Sequence, residues 1–425
     1  MDSNVRYRVN NLLYAAGEEL LHTIRVDLEL NDAVDPEVLT RAVNLAALRF
    51  PYYAVRLVRE GEEYFMVPNP EPIAVLPEGS RIVLGDEGTG HHLFAFTYSG
   101  NKVSMHSSHF ITDGNGLFPF LKTILYLYLK EIHPDESFGG SFALPGDEIS
   151  PGESCDYPYP EHEMEEDPLV AAVRPDKVYK LSDQPAGYGN KDEWSAFFLS
   201  VRQDTLMKYV SGVDGSPASF IASLIFMAIS DLDEGGDLPI VCGMQHQFRK
   251  ALKRPVSHLC HVNIVPMVYP ASVRGGSIER LNTISRGILI LRGSDENDIM
   301  TINRHIRNEH MIRGMTLEEK HSYMLGEMLE GIGNNTFGVS YTGRVPWDGI
   351  DRYIKSVRPY FDMALSGGIS AEIFSVGEYF DINIMQRSPT DRYVRRMTDH
   401  LDDLNIPYEY GGKEHFELCG FKLPS

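Results

Sequence analysis

Positive charge is scarce in this chain. Of its 425 residues 39 are Lys or Arg, against 60 Asp or Glu, which leaves a formal net charge of -21. A non-specific binder of nucleic acid or of an anionic membrane surface needs a surplus of cations to displace counterions, so the reverse balance argues against both partners. Cysteine is sparse too. Cys155, Cys242, Cys260 and Cys419 lie far apart and form no C-x-x-C pair, which excludes a disulfide framework or a zinc ribbon and leads us to expect a reducing, cytoplasmic setting. Long apolar runs are missing as well. The stretch around Leu12 to Ala16 is too short for a signal-peptide core. The charge-free run from Gly215 to Ser230 falls short of the ~20 apolar residues of a spanning helix. Composition is otherwise ordinary for a globular protein, with 43% apolar residues, Gly 37 and Pro 25, and the length implies two or three packing units.

What the chain has is an alternation of strand and helix signals. His22 to Leu30 alternates apolar and polar residues as a half-buried strand does. Asp35 then caps a helix with Pro36 at its first position, and Pro51 ends it. A strand from Tyr53 to Val58 follows. His92 to Tyr98 and Val103 to Ser108 flank Ser99-Gly100 as a hairpin, and a helix is expected from about Leu117 to Ile132. In the second half AFFLSV reads as a strand and Ser216 with Pro217 opens a buried helix. Strands are expected around Leu238 to Met244 and Val262 to Val268, helical periodicity between Ile299 and Leu329, strands in FGVSY, AEIFSV and YFDINIMQ, and a helix from Thr390 to Leu404.

Between the halves lies a different composition. Asp147 to Asp167 holds nine acidic residues, no Lys or Arg, and several prolines, so it can bury little and hold no regular structure. It reads as a crossover, although a solvated loop inside one unit fits the composition equally. The expected division is residues 1–145, an acidic crossover at 146–193, and 194–425. Both halves mix strands and helices, so each has the material for an α/β core. The crossover's acids set apart, about -12 remains on the body of the chain.

The most unusual segment is SMHSSHFITDGNG, Ser104 to Gly116. A strand dense in hydroxyls and imidazoles runs into a loop with His109, Asp113 and Gly114. Histidine can take and return a proton near neutral pH, a carboxylate four residues on can hold the loop, and glycine permits a close approach. The same residues also fit a loop histidine beside an Asp113 or Asn115 helix cap.

SHFITDG resembles the HHxxxDG motif of the CoA-dependent acyltransferase and condensation superfamily, whose members include chloramphenicol acetyltransferase, alcohol acetyltransferases and the condensation domains of nonribosomal peptide synthetases. Three further segments are similar in the same order: the opening strand with VDPEVLTRAVNLAALRFPYYAVRLV, MQHQFRKALKRPVSHLCHVNIVPM, and FGVSYTGRV. The resemblance implies two chloramphenicol-acetyltransferase-like lobes, each a mixed sheet with helices, and an active-site tunnel between them. It implies His109 as general base, Asp113 in a structural salt bridge with Arg249, and Gly114 as the motif glycine. Ser108 stands where the motif's first histidine would be, and Tyr341 replaces the asparagine of a Ser-Asn-x-Gly strand. Ser340, or a backbone N–H near Gly114, is a candidate oxyanion donor, with Tyr341 as a tunnel contact.

The activity implied is transfer of an acyl group from a thioester, with acyl-CoA as co-substrate, to an alcohol or amine, closest to stand-alone alcohol acetyltransferases. No covalent enzyme intermediate and no tightly bound cofactor are expected. One alternative is a condensation-type amide former fed by a carrier protein; another is a non-catalytic module that keeps the fold. Lys250, Lys253 and Arg254 form the densest basic cluster and are candidate contacts for CoA phosphates, or else solvated surface pairs. His258, Cys260 and His261 suggest a metal only superficially, because strand alternation sends Cys260 and His261 to opposite faces; no metal site is expected. The glycine pairs, Gly411-Gly412 among them, read as turns.

Overall fold

The computed structural model describes residues 5–17, 20–153, 159–167, 175–183, 191–232 and 236–424. Cys155 and much of the acidic crossover lie outside these residues. Two mixed sheets organise the rest. The first contains β1 (Thr23–Leu30), β2 (Val75–Pro77), β3 (Phe94–Ser99) and β4 (Lys102–Ser108), and it is joined by β9 (Ile354–Phe361) from far along the chain. Its order is β9-β1-β4-β3-β2, antiparallel except for the parallel β2·β3 edge. Helices α1 (Pro36–Arg49) and α2 (Gly114–Ile132) bury their apolar faces against this lobe. Asp35 caps α1 through the N–H groups of Glu37 and Val38, with Pro36 at the first position.

The second sheet has seven strands: β5 (Ser195–Arg202), β6 (Ile240–Gln247), β7 (Val262–Tyr269), β8 (Phe337–Tyr341), β10 (Ile369–Val376), β11 (Tyr379–Gln386) and β12 (Tyr408–His415). Their order is β7-β6-β8-β10-β11-β5-β12, with β6, β8 and β10 parallel to one another. Its core is built on α3 (Pro217–Leu232), buried along most of its length. Ser216 caps α3 by accepting from the Ser219 N–H at 3.2 Å. Against it pack α4 (Ile278–Arg292) and α7 (Arg392–Asp403), while α5 (Asp295–Ile312) and α6 (Leu317–Gly333) run from the second lobe toward the first. Among the described residues no single helix is long and apolar enough to cross a membrane.

Three features depart from the sequence reading. The segment 194–425 does not stay within one lobe: β9 extends the first sheet, and Gly420–Phe421 pairs in parallel with Val83–Leu84. Pro359 sits inside β9 without loss, because β9 is an edge strand bonded only to β1. Gly411-Gly412 is no turn. It makes a β-bulge in the edge strand β12, where the register shifts between Tyr410 and Gly412 and Gly412 takes φ +94°. The described part of the crossover is also not merely solvated. Glu153 is buried against Arg49 in a bidentate pair at 2.8 and 3.1 Å, and the buried Tyr159 stacks on His305 with ring centroids 4.8 Å apart. A paired carboxylate can be buried where a lone one cannot.

Candidate active site

The strand β4 delivers the motif loop to the boundary between the lobes. His109 follows β4 directly; its backbone N–H donates to the His22 carbonyl at 2.8 Å, so the loop is stitched to the start of β1. Its ring Nδ1 lies 3.0 Å from the carbonyl oxygen of Thr112. A carbonyl can only accept, so Nδ1 carries the proton and Nε2 keeps the lone pair. Cys260 Sγ stands 3.8 Å from the same Nδ1, and burial pushes its thiol well above the ordinary range.

Asp113 combines the two roles open to it in the sequence. Its Oδ1 caps α2 by accepting from the Gly116 N–H at 3.0 Å and also receives Arg249 Nη2 at 2.7 Å; its Oδ2 accepts from the His261 N–H at 2.8 Å. Burial alone would raise this carboxyl. The Arg249 guanidinium and the two backbone N–H groups outweigh it and hold the carboxyl below its usual value. Arg249 in turn donates to the carbonyls of Ser257 and Leu259, each at 2.7 Å. One buried ion pair therefore fastens the motif loop of the first lobe to the segment 257–261 of the second. Tyr53 reinforces the junction, its hydroxyl lying 2.8 Å from the carbonyls of both Gly116 and His258.

Gly116 rather than Gly114 is the glycine the geometry demands. A Cβ at Gly116 would fall 2.0 Å from the His258 carbonyl oxygen, whereas at Gly114 the nearest atom is the Thr342 methyl at 2.9 Å. Ser108 is buried in the sheet opposite Thr23, and its hydroxyl has no hydrogen-bond partner among the described residues. A different imidazole packs on His109: the His22 ring is stacked on it at 5.2 Å between centroids. His22 is buried, takes a left-handed φ of +52°, and is held well below its usual pKa by burial and by the neighbouring His109.

His109 stands between two cavities. One, of about 190 Å³, is bordered by the start of α2, by Ser340 and Tyr341 at the end of β8 and Thr342 just past it, and by Glu372 and Phe374 of β10. The other, of about 160 Å³, is bordered by His22, Asn263, Arg304, Met324 and Met328. His109, Gln245, Val262 and Phe361 belong to both. Lys250, Lys253 and Arg254 border neither, and Lys250 is paired with Asp295 at 2.8 Å. Arg304 borders the second cavity, and Arg292 and Arg307 border a third, of about 180 Å³, that shares Asn263, Ile264 and Arg304 with the second.

No family model matches this chain, and no curated protein matches it in sequence. Solved structures do match, over nearly the whole length. TRI101 of F. graminearum, complexed with coenzyme A and T-2 mycotoxin, aligns with a TM-score of 0.63 at 11% identity over 96% of this chain and 100% of its own. The chain has the CoA-dependent acyltransferase and condensation-domain fold. The same fold is shared with the TRI3 trichothecene 15-O-acetyltransferase of Fusarium sporotrichioides, at TM-score 0.60 and 12% identity over 93% of this chain and 94% of that one. It is shared too with the first condensation domain of the calcium-dependent antibiotic synthetase, at TM-score 0.58 and 14% identity over 95% and 97%. The two lobes, each a mixed sheet with helices, are those of this fold.

Sequence reasoning passed over three residues that the acyltransferase and condensation-domain fold brings to the site. His22 gave no motif signal, because its stack on His109 depends on the β1·β4 pairing. Thr342 lies just beyond the FGVSY strand and its hydroxyl is buried without a hydrogen-bond partner among the described residues. Glu372 carried a signal that could have been read: it is the one carboxylate in a strand buried at all eight positions. Among the described residues no three His, Cys, Asp or Glu side chains are grouped to hold a metal.

Proposed function

We propose that this protein moves an acyl group from a thioester, with acyl-CoA as the donor, to an alcohol or amine, and that His109 is its general base. The observation that carries the proposal is a histidine with its Nδ1 proton committed to the Thr112 carbonyl, its Nε2 lone pair free, and a cavity on each side. Two reactants can approach Nε2 from opposite mouths without displacing one another. The acceptor heteroatom bonds to the thioester carbon as Nε2 takes its proton and the carbonyl π electrons move to oxygen. The C=O then re-forms, the C–S bond breaks, and the imidazolium returns the proton to the departing sulfur. No bond to the enzyme is made. The solved neighbours in complex with coenzyme A support the choice of donor.

The oxyanion needs a hydrogen-bond donor, and two aliphatic hydroxyls, Ser340 within β8 and Thr342 just past it, border the cavity beside β10. Ser340 is hydrogen-bonded to the Glu372 carboxyl. Thr342 Oγ1 has no such engagement, so Thr342 is the donor in our reading and Ser340 and Tyr341 shape the wall. Asp113 and Arg249 position the loop and touch no substrate. Pantetheine places the CoA phosphates outside the cavities, where two basic groups compete for them: Lys250, Lys253 and Arg254, or Arg292, Arg304 and Arg307. The test is thiol release from acetyl-CoA across a panel of alcohols and amines, with His109→Ala alongside. We expect the variant to lose at least 100-fold in kcat, and unchanged turnover would refute the assignment of His109. Turnover only from a carrier-bound thioester would move the protein to the condensation type.

A further inference from the structure

β10 is central in the second sheet, between β8 and β11, and its side chains alternate between two destinations. Ile369, Ala371 and Ile373 enter the core of the second lobe. Phe374 and Val376 face the other way and pack with the first lobe. Glu372 shares that second parity, which brings a carboxylate to the wall of the cavity beside His109. It is 8% exposed. Ser340, opposite it in the β8·β10 register, is hydrogen-bonded to the carboxyl, yet Oε1 has no hydrogen-bond partner among the described residues. Among the described residues no lysine or arginine borders this cavity, and the other titratable groups there are His109, Asp113, His246, Tyr341 and Tyr360. Asp113 is already neutralised by Arg249 at 2.7 Å. The rest of the wall is largely apolar, with Ile24, Val26, Leu117, Phe118 and Phe361.

A buried carboxyl with an unpartnered oxygen is a costly thing for a fold to keep. The cross-strand Ser340 holds the carboxyl by a hydrogen bond, and Oε1 is left for something that arrives in the cavity. We propose that the cavity beside β10 selects substrates carrying a protonated amine, with Glu372 as its counter-ion and Ser340 as the residue that aims it. This rests on the acyltransfer reading for which substrates are meant, but the binding chemistry stands without it. An ammonium would satisfy Oε1, balance the charge that Glu372 takes on as it gives up its proton, and still leave apolar surface for its carbon chain. Burial raises the Glu372 carboxyl to about 8, so the empty site is mostly protonated at pH 7. A cation that enters must expel that proton to bind the carboxylate, and the expelled proton is a signature that a merely structural glutamic acid does not give.

The amine can ride on the acceptor or on the acyl group, and matched pairs separate the two. With acetyl-CoA, 5-amino-1-pentanol is compared with 1-hexanol as acceptor; with one fixed acceptor, 4-aminobutyryl-CoA is compared with pentanoyl-CoA as donor. In one arm kcat/KM should favour the amine by at least tenfold, and that ratio should collapse tenfold or more in Glu372→Gln. The arm that shows it identifies the source. Binding is read separately by calorimetry on the wild-type protein with 1,6-diaminohexane against 1,6-hexanediol at pH 7, in two buffers of different ionisation enthalpy. Tighter binding of the diamine with release of close to one proton is expected. If no pair turns over but the diamine binds with proton release, the acyltransfer reading fails and the cation site stands. Equal affinity for diamine and diol, binding without proton release, or amine preference unchanged in Glu372→Gln overturns the proposal.

Discussion

Replacing Asp113 by asparagine is the sharpest test of how this site is held together. The carboxylate takes three donors: the Gly116 N–H and Arg249 Nη2 on Oδ1, and the His261 N–H on Oδ2. An amide has one oxygen. If it faces Arg249, its NH2 meets the His261 N–H; if it is turned round, its NH2 meets both Arg249 and Gly116. In either orientation a buried guanidinium that is 5% exposed loses its counter-charge, and its Nη1 has no hydrogen-bond partner among the described residues to fall back on. Breaking one side of such a pair costs about 3–5 kcal/mol. Asp113→Asn should therefore lower the melting temperature measurably and reduce turnover together, because the loop it frees carries His109. The double variant Asp113→Asn with Arg249→Met should recover part of the loss, with a coupling of up to ~3 kcal/mol between the two sites. The pH dependence has a definite sign. Asp113 is depressed in the folded protein, so its contribution is complete above the unfolded carboxyl's value and disappears as pH falls through the folded one; the difference between wild type and variant should shrink in strong acid. A variant that melts with the wild type at neutral pH would refute the bridge as the fastening between the lobes.

Three further outcomes are expected. Thr342→Val should cut kcat 100-fold or more with little change in KM, as the loss of one oxyanion donor does elsewhere, and Ser340→Ala should cut it less; the reverse order in thiol-release kinetics would move the donor to Ser340. Gly116→Ala should be far more destabilising than Gly114→Ala in thermal melts, because its Cβ meets a backbone carbonyl at 2.0 Å and not a movable methyl at 2.9 Å. Cys260, with its thiol pushed up by burial, should resist iodoacetamide at pH 8 in the native protein and react once it is unfolded, since only the thiolate attacks; rapid native alkylation followed by mass spectrometry would contradict its placement beside His109.

The sequence was readable where one local rule decides the outcome. Asp35-Pro36 and Ser216-Pro217 start helices by chemistry within a few residues, and YFDINIMQ is a strand over the very span that its alternation gave. It was opaque where tertiary context overrides. β9 carries Lys355, Arg358 and Pro359, a poor strand by propensity, and forms because β1 offers an open edge. The helix α4 leaves Ile290 and Leu291 exposed and is interrupted by Gly287, so its periodicity is blurred. Within the site, His109, Asp113 and Gly114 were legible as a motif and Arg249 as a partner through resemblance. His22 and Thr342 were not, since each reaches the site through pairing between strands distant in sequence. The basic cluster at 250–254 borders neither cavity, and charge density along a chain does not say which surface it faces.

The strand β9 bears on how the molecule is made. On the ribosome, β1 is complete at residue 30, but its outer partner is not translated until residue 361. Throughout that interval the first lobe has a bare row of backbone donors and acceptors along β1, open to any passing strand. A fragment that stops before residue 354 should therefore aggregate, and the two lobes should not be expressible as separate soluble halves that reassemble on mixing. The lobe that carries the histidine is the first to be synthesised and among the last to be completed.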